Sequence, residues 1–278
     1  MMAFFRGGIF VGFICLTAAA EQRAVNALIP EDLREDKKLV EIVLALDQGY
    51  GKDFGGVSRD KGGNIVMLFG RSEILYDDRK AKAFEEILVD PDIEDSFCLK
   101  YPLTNPTDKL PKDFDPGRIR VEKMFKALYG ATEREVAENC VNMMFCGHQV
   151  RFSSRCGAAL ALEAVGKDLD VVFLKKPNLK IYVSELGGTF SWRLIAGTER
   201  LSNHSFGNAI DLNIKKSAYW RWSPPALMDK FSREDWPVEI IEAFERHGFI
   251  WGGKWWHYDT MHFEFRPELI AHAKAVIR

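Results

Sequence analysis

The sequence predicts an α+β fold: a small antiparallel sheet carrying a cluster of histidines and acids, flanked by helices, with a mixed helical region before it. Two observations predict this. Segments with apolar residues at helical spacing recur through the first 170 residues, whereas the later part holds short runs of strand-like alternation next to glycines. Composition also changes along the chain, because all seven tryptophans lie between Trp192 and Trp256. Large amphipathic rings gathered in one part of a chain mark its core or a binding groove.

Each element has its own signal. Glu35 to Leu46 places Leu39, Ile42, Val43 and Leu46 on one helical face. Gly62-Gly63 introduces a strand over Asn64 to Phe69, and Gly70 to Ser72 turns the chain into Glu73 to Tyr76, a hairpin pattern. Lys80 to Leu88 reads as a helix ending near Pro91. From Tyr101 to Gly117, Pro102, Pro106, Pro111 and Pro116 break regular structure, as in a surface loop or subdomain boundary. Ile119 to Leu128 is helical again, and Ala131 to Glu135 has the capped start of another helix. Gln149 to Phe152 is a strand, Gly157 to Leu169 a helix, and Ile240 to His247 a helix stopped by Gly248 before the strand Phe249 to Trp251.

The formal charge of −2 gives no electrostatic case for a nucleic-acid partner. Residues 1–20 read as a signal peptide: Arg6 is basic, Gly8 to Leu16 is apolar, and Ala18-Ala19-Ala20 offers a cleavage site before Glu21. The apolar run is short for a membrane span, so a secreted or periplasmic protein without a stable span is expected. Residues 21–170 then form an N-terminal region of unassigned role, and 171–278 the functional domain. Four cysteines follow the signal (Cys98, Cys140, Cys146 and Cys156), an even count that favours two disulfides in an exported chain.

Two stretches carry the chemistry. Ser202 to Asp211 contains His204 in a loop and Asp211 on a strand over Ala209 to Asn213, with Ile210 and Leu212 facing the core. Trp251 to Glu264 contains His262 and Glu264 on one face of a strand over Met261 to Phe265. Asp259, three residues before His262, has the wrong parity for that face and must enter through a bend. His204, Asp211 and His262 are candidate zinc ligands, since imidazole and carboxylate suit zinc and three ligands leave a fourth position open. Asp259 is placed to handle a proton. His257, close to Asp259, is a candidate for substrate contact, while Trp255 and Trp256 suit core or groove wall.

The pattern S-x-H-x-x-G-x-A-x-D, followed by W-G-G-x-W and D-x-M-H-F-E, resembles the D-Ala-D-Ala carboxypeptidase-like zinc peptidases. These share a fold group with lysostaphin, the Van-type peptidases and hedgehog. The resemblance spans Gly187 to Pro267. It implies zinc on His204, Asp211 and His262, Asp259 as general base, and Arg193 steadying the scissile carbonyl oxygen or a substrate carboxylate. Glu264 is expected to hold an imidazole or a loop, and Ser202 to brace the loop of His204. The implied substrate is the stem peptide of peptidoglycan. Van-type enzymes carry Glu where this chain has Asp259, whereas L-alanyl-D-glutamate peptidases carry Asp, so that endopeptidase cut stays beside the D-Ala-D-Ala cut. A carboxypeptidase also needs a cation for the free carboxylate, and Lys254 and Arg266 are the candidates beyond Arg193. A non-catalytic zinc-stabilised wall-binding module and a carbohydrate-active enzyme using Asp211 and Asp259 are the competing classes. The first leaves Asp259 and Arg193 without work, the second leaves the histidines unexplained.

Overall fold

A computed structural model describes residues 18–106, 109–222 and 236–275. The expected signal segment lies mostly outside them; its alanines Ala18 to Ala20 begin helix α1 (Ala18–Leu28). Helix α2 (Lys37–Tyr50) starts where Asp36 accepts a hydrogen bond from the Leu39 N–H, and it buries Leu39, Ile42, Val43, Leu46 and Tyr50 along one stripe. An antiparallel sheet follows, of β1 (Val57–Arg59), β2 (Ile65–Phe69) and β3 (Ser72–Leu75), in that order. The β2–β3 pair is the expected hairpin.

The helix expected over Lys80 to Leu88 forms only as α3 (Phe84–Val89), followed by α4 (Ile93–Ser96). The reason is Lys82, whose ammonium is drawn into Asp78, Asp92 and Asp95 at 3.1, 3.4 and 2.6 Å and so holds its backbone out of the helix. Helices α5 (Glu122–Tyr129) and α6 (Glu133–Asn139) come next, the latter capped by Thr132. A hairpin of β4 (Cys140–Phe145) and β5 (His148–Ser153) leads to α7 (Ala158–Lys175). Strand β4 had no clear period-two pattern because one face of it is largely exposed, Met144 most of all.

The third sheet is antiparallel, in the order β6 (Ala209–Asp211), β8 (His262–Phe265), β7 (Phe249–Trp251). Helix α8 (Val238–Arg246) packs on α7 and precedes β7, and helix α9 (Pro267–Lys274) follows β8 and packs along α2. The α2–α9 approach is close: a Cβ on Gly49 would lie 2.7 Å from the Glu268 nitrogen. One hydrophobic core runs from Val25 to Ala271, drawing on both 21–170 and 171–278. The fold is α+β, with small antiparallel sheets among helices.

The expected disulfides do not form, and Cys98, Cys140, Cys146 and Cys156 are all free. Geometry explains part of this. Cys140 begins β4 and Cys146 lies beyond its end, about 20 Å away at strand rise, far outside bonding reach. Among the described residues, no helix is long and apolar enough to cross a membrane.

Candidate metal centre

Strand pairing builds the centre. In the β6–β8 register Asp211 lies directly opposite His262, and Ala209 opposite Glu264. Facing residues of an antiparallel pair have adjacent side chains; here Asp211 Oδ1 is 3.0 Å from His262 Nδ1. Parity on β8 puts His262 and Glu264 on one face, where His262 Nε2 donates to Glu264 Oε2 at 3.0 Å. The remaining carboxylate oxygen of Glu264 accepts from Arg266 Nη1 at 3.0 Å, and Arg120 Nη1 lies 3.3 Å from Oε2.

His204 arrives on a single 3-10 turn, Asn203–Phe206, capped by the Ser202 hydroxyl, which accepts from the His204 N–H at 3.4 Å. Gly207 closes the turn at φ +65°, and a Cβ there would meet Cys140 Sγ at 2.6 Å. A side chain is thus excluded at Gly207 both by conformation and by space. The segment after the isolated Gly188–Asp211 bridge fixes the ring: Nδ1 lies 2.7 Å from the Thr189 carbonyl oxygen. A carbonyl only accepts, so Nδ1 carries the proton and Nε2 presents a lone pair.

That lone pair decides what the site needs. His204 Nε2 is buried without a hydrogen-bond donor, and it lies 3.2 Å from Asp211 Oδ2. Two acceptors that close repel unless a cation lies between them. The ligand atoms of His204, Asp211 and His262 all lie within 4.8 Å of one another. Tetrahedral zinc with bonds of about 2.0–2.1 Å separates its ligand atoms by about 3.3 Å, near the 3.0 and 3.2 Å found here. Residue types, separations and lone-pair direction therefore fit zinc.

The electrostatics agree. Burial disfavours the Asp211 carboxylate, yet positive charge on the side of His204 and His262, as a cation there would supply, holds it well below the usual range. Burial also opposes charge on His262, but Asp211 and Glu264 raise its imidazolium to about 10. For Glu264, Arg120, His262 and Arg266 outweigh burial and bring the carboxyl down to about 2. Asp259 differs. Burial, reinforced by Asp211 and only partly offset by His262 and Arg118, pushes it up to about 6.

Residues 196–265, which span both stretches, match the family model described as D-alanyl-D-alanine carboxypeptidase. That segment is similar to the family; the match covers about a quarter of the chain. Neither the curated proteins nor the solved structures gave a match.

The matched segment contains Ser202, His204, Asp211, Trp256, His257, Asp259, His262 and Glu264; Arg193 lies just before it. Asp259 pairs through an isolated bridge with Tyr219, and a turn through Thr260 and Met261 leads from it into β8, with the His262 N–H donating to the Asp259 carbonyl at 3.2 Å. One Asp259 carboxylate oxygen is buried without a partner. Arg193 flanks the His204 turn: its N–H donates to Ser205 Oγ at 2.9 Å and its carbonyl accepts from Ser202 at 3.0 Å, leaving an exposed guanidinium.

Two sequence candidates are elsewhere. Lys254 is fully buried, paired with Glu245 at 2.5 Å and donating to the Pro102 carbonyl at 2.9 Å. Arg266 is committed to Glu264, Glu268 and the Gly117 carbonyl. Neither is free for a substrate carboxylate, because each is paired with buried glutamate.

Around these side chains lie residues the sequence gave little reason to choose. Asp115, fully buried, takes His257 Nδ1 at 2.6 Å and the His257 N–H at 2.9 Å. Arg118 donates to the His257 carbonyl at 3.1 Å and lies 5.5 Å above the Trp255 ring. Phe114 accepts from the Trp256 N–H at 2.9 Å. All belong to the proline-rich stretch or its edge. Their only sequence signal is a set of charges, Asp115, Arg118 and Arg120, embedded among apolar and proline residues.

Proposed function

We propose that the chain is an exported zinc metallopeptidase that hydrolyses a peptide bond involving a D-amino acid in the stem peptide of peptidoglycan, with D-Ala-D-Ala carboxypeptidase cleavage favoured. The observation that carries this reading is the buried pair of facing acceptors on His204 and Asp211, completed by His262, on the segment that matches the peptidase family. Zinc held by those three residues would supply Lewis acidity and a nucleophile active near neutral pH.

The other residues divide the remaining work. Asp259, whose free oxygen lies in the same buried surroundings, takes the proton of the attacking water. Arg193, tied by its backbone to the His204 turn and exposed at its tip, meets the developing negative charge on the carbonyl oxygen. Arg118 takes the place expected of Lys254 or Arg266 as the second cation, because its charge acts directly on Asp259. Residues 171–278 supply the ligands, and the 115–120 stretch supplies a wall and supports.

Mass spectrometry of muropeptides after incubation with zinc-loaded protein tests this. Pentapeptide stems should lose one alanine. Release of the stem after its first residue would favour the L-alanyl-D-glutamate cut instead. Cleavage of all-L peptides with neither product would sink the peptidoglycan assignment.

A further inference from the structure

His257 is held more firmly than packing requires. Asp115 gives both carboxylate oxygens to it, one to Nδ1 at 2.6 Å and one to the backbone N–H at 2.9 Å. Arg118 fixes its carbonyl at 3.1 Å. The rings of Trp220 and Trp256 stand edge-on to the imidazole, with centroids 4.5 and 4.3 Å away. A fully buried carboxylate that gives both oxygens to one histidine, with Arg118 Nε no nearer than 4.0 Å, is a costly arrangement for a mere staple between loops.

The arrangement also defines which nitrogen is free. The carboxylate accepts, so the Nδ1 proton points at Asp115 and Nε2 is the working end. Unlike His204 Nε2, it is not sealed inside the protein, and the His257 side chain keeps 18% exposure. The stretch bearing Asp115 runs beside the metal centre. Trp255 Nε1 donates to the Pro116 carbonyl at 2.7 Å, and the Trp255 ring lies 5.7 Å from that of His262. Arg118 links the two sides, bonding His257 while its charge reaches Asp259.

We propose that His257 is a second proton-handling residue of the site, oriented by Asp115, and that its Nε2 delivers a proton to the leaving amine. The inference rests on the peptidase reading above. Water adds to the carbonyl carbon and gives one proton to Asp259. As the C–N bond breaks, the nitrogen keeps the electron pair and takes a proton from Nε2–H of the His257 ring. The products are the acid and the amine; Asp259 then releases its proton to solvent, and His257 takes one up. Asp115 is a positioning residue, which balances the charge on the ring while it carries the second proton.

The test compares zinc-loaded wild type, His257→Ala and Asp115→Asn on pentapeptide muropeptides, with zinc content and thermal melting measured alongside. General acid catalysis contributes about 10²–10⁴-fold, so His257→Ala should lose that much kcat with KM and zinc little changed. Added imidazole should restore part of the rate, which no packing role would allow. Asp115→Asn should lower kcat in the same range by favouring the other tautomer. Unchanged kcat in His257→Ala, or a loss without imidazole rescue, overturns the proposal. A second measurement needs no turnover. Diethyl pyrocarbonate should modify His257 in the native zinc-loaded protein, and stem peptide should protect it. Absence of modification, or modification that peptide does not slow, overturns the proposal as well. Failure of wild type to cleave any muropeptide would refute the peptidase reading by itself, and the reagent result would still judge His257.

Discussion

Glu264→Gln replaces one atom and should disturb both stability and metal affinity. The carboxylate is fully buried and accepts from three donors: His262 and Arg120 on one oxygen, Arg266 on the other. A glutamine amide keeps only one acceptor. In one orientation its NH₂ group faces Arg266, in the other it faces His262 and Arg120, so a donor meets a donor either way. The substitution also leaves buried guanidinium charge short of a partner, and breaking a buried pair in this way costs about 3–5 kcal/mol. At about 2–4 °C per kcal/mol for a chain of this size class, melting of the metal-free protein should fall by about 6–20 °C. The zinc effect is separate. Outer partners of metal-bound histidines are worth about 10–100-fold in affinity, and competition against a chromophoric chelator should show a loss in that range. A variant that melts with wild type and binds zinc equally would refute the claim that Glu264 supports His262.

Other expectations follow from the same geometry. His204→Ala or Asp211→Asn should abolish stoichiometric zinc, as read by elemental analysis, because each removes one of the two facing acceptors. Asp259→Asn should retain zinc and lose turnover; loss of zinc instead would make Asp259 a ligand. Since Asp259 must be ionised to accept a proton, activity should fall as pH drops through its pKa. Its carboxyl is raised to about 6 without metal, and an adjacent cation lowers it, so the acid limb should lie at or below about 6. A limb above 7 would refute that role. Gly207→Ala should weaken zinc binding and lower stability by more than about 1 kcal/mol, from the φ of +65° and the 2.6 Å approach to Cys140. Burial pushes the thiols of Cys140, Cys146 and Cys156 up to about 11, 12 and 12, so at pH 8 iodoacetamide should alkylate them at least about 100-fold more slowly than an ordinary thiol.

The metal-centre stretches were legible because their signal is local. Gly207 marks the turn, period two gives the faces of β6 and β8, and the positions of Asp211, His262 and Glu264 follow from parity once those strands pair. Helix α2 was readable for a similar reason: its apolar stripe and Asp36 cap lie within one short window. Lys80 to Ala83 misled because the attraction of Lys82 to Asp92 and Asp95 acts across ten and thirteen residues and overrides helical propensity. Asp115 and Arg118 were invisible for the same reason on a larger scale. Their partner His257 lies about 140 residues on, and a proline-rich loop gives no period from which to read which side chains turn inward. Lys254 and Arg266 were misplaced because proximity in sequence to a motif says nothing about which way a long side chain points. Only the positions of Glu245 and Glu268 decide that.

The close contact of α2 with α9 bears on when the metal centre can assemble. Tyr50 on α2 donates to Glu268 at 2.7 Å across 218 residues of sequence; Glu268 holds Arg266, and Arg266 holds the carboxylate behind His262. Closing so long a loop is entropically slow and comes after local structure has formed. A nascent chain that has emerged only as far as Phe265 already contains both histidines and Asp211, yet has neither Arg266 nor Glu268 to set the ring of His262. Tight zinc capture should therefore be a late event in biogenesis, tied to the docking of α9, and a chain truncated after Phe265 should carry every ligand and hold the ion poorly.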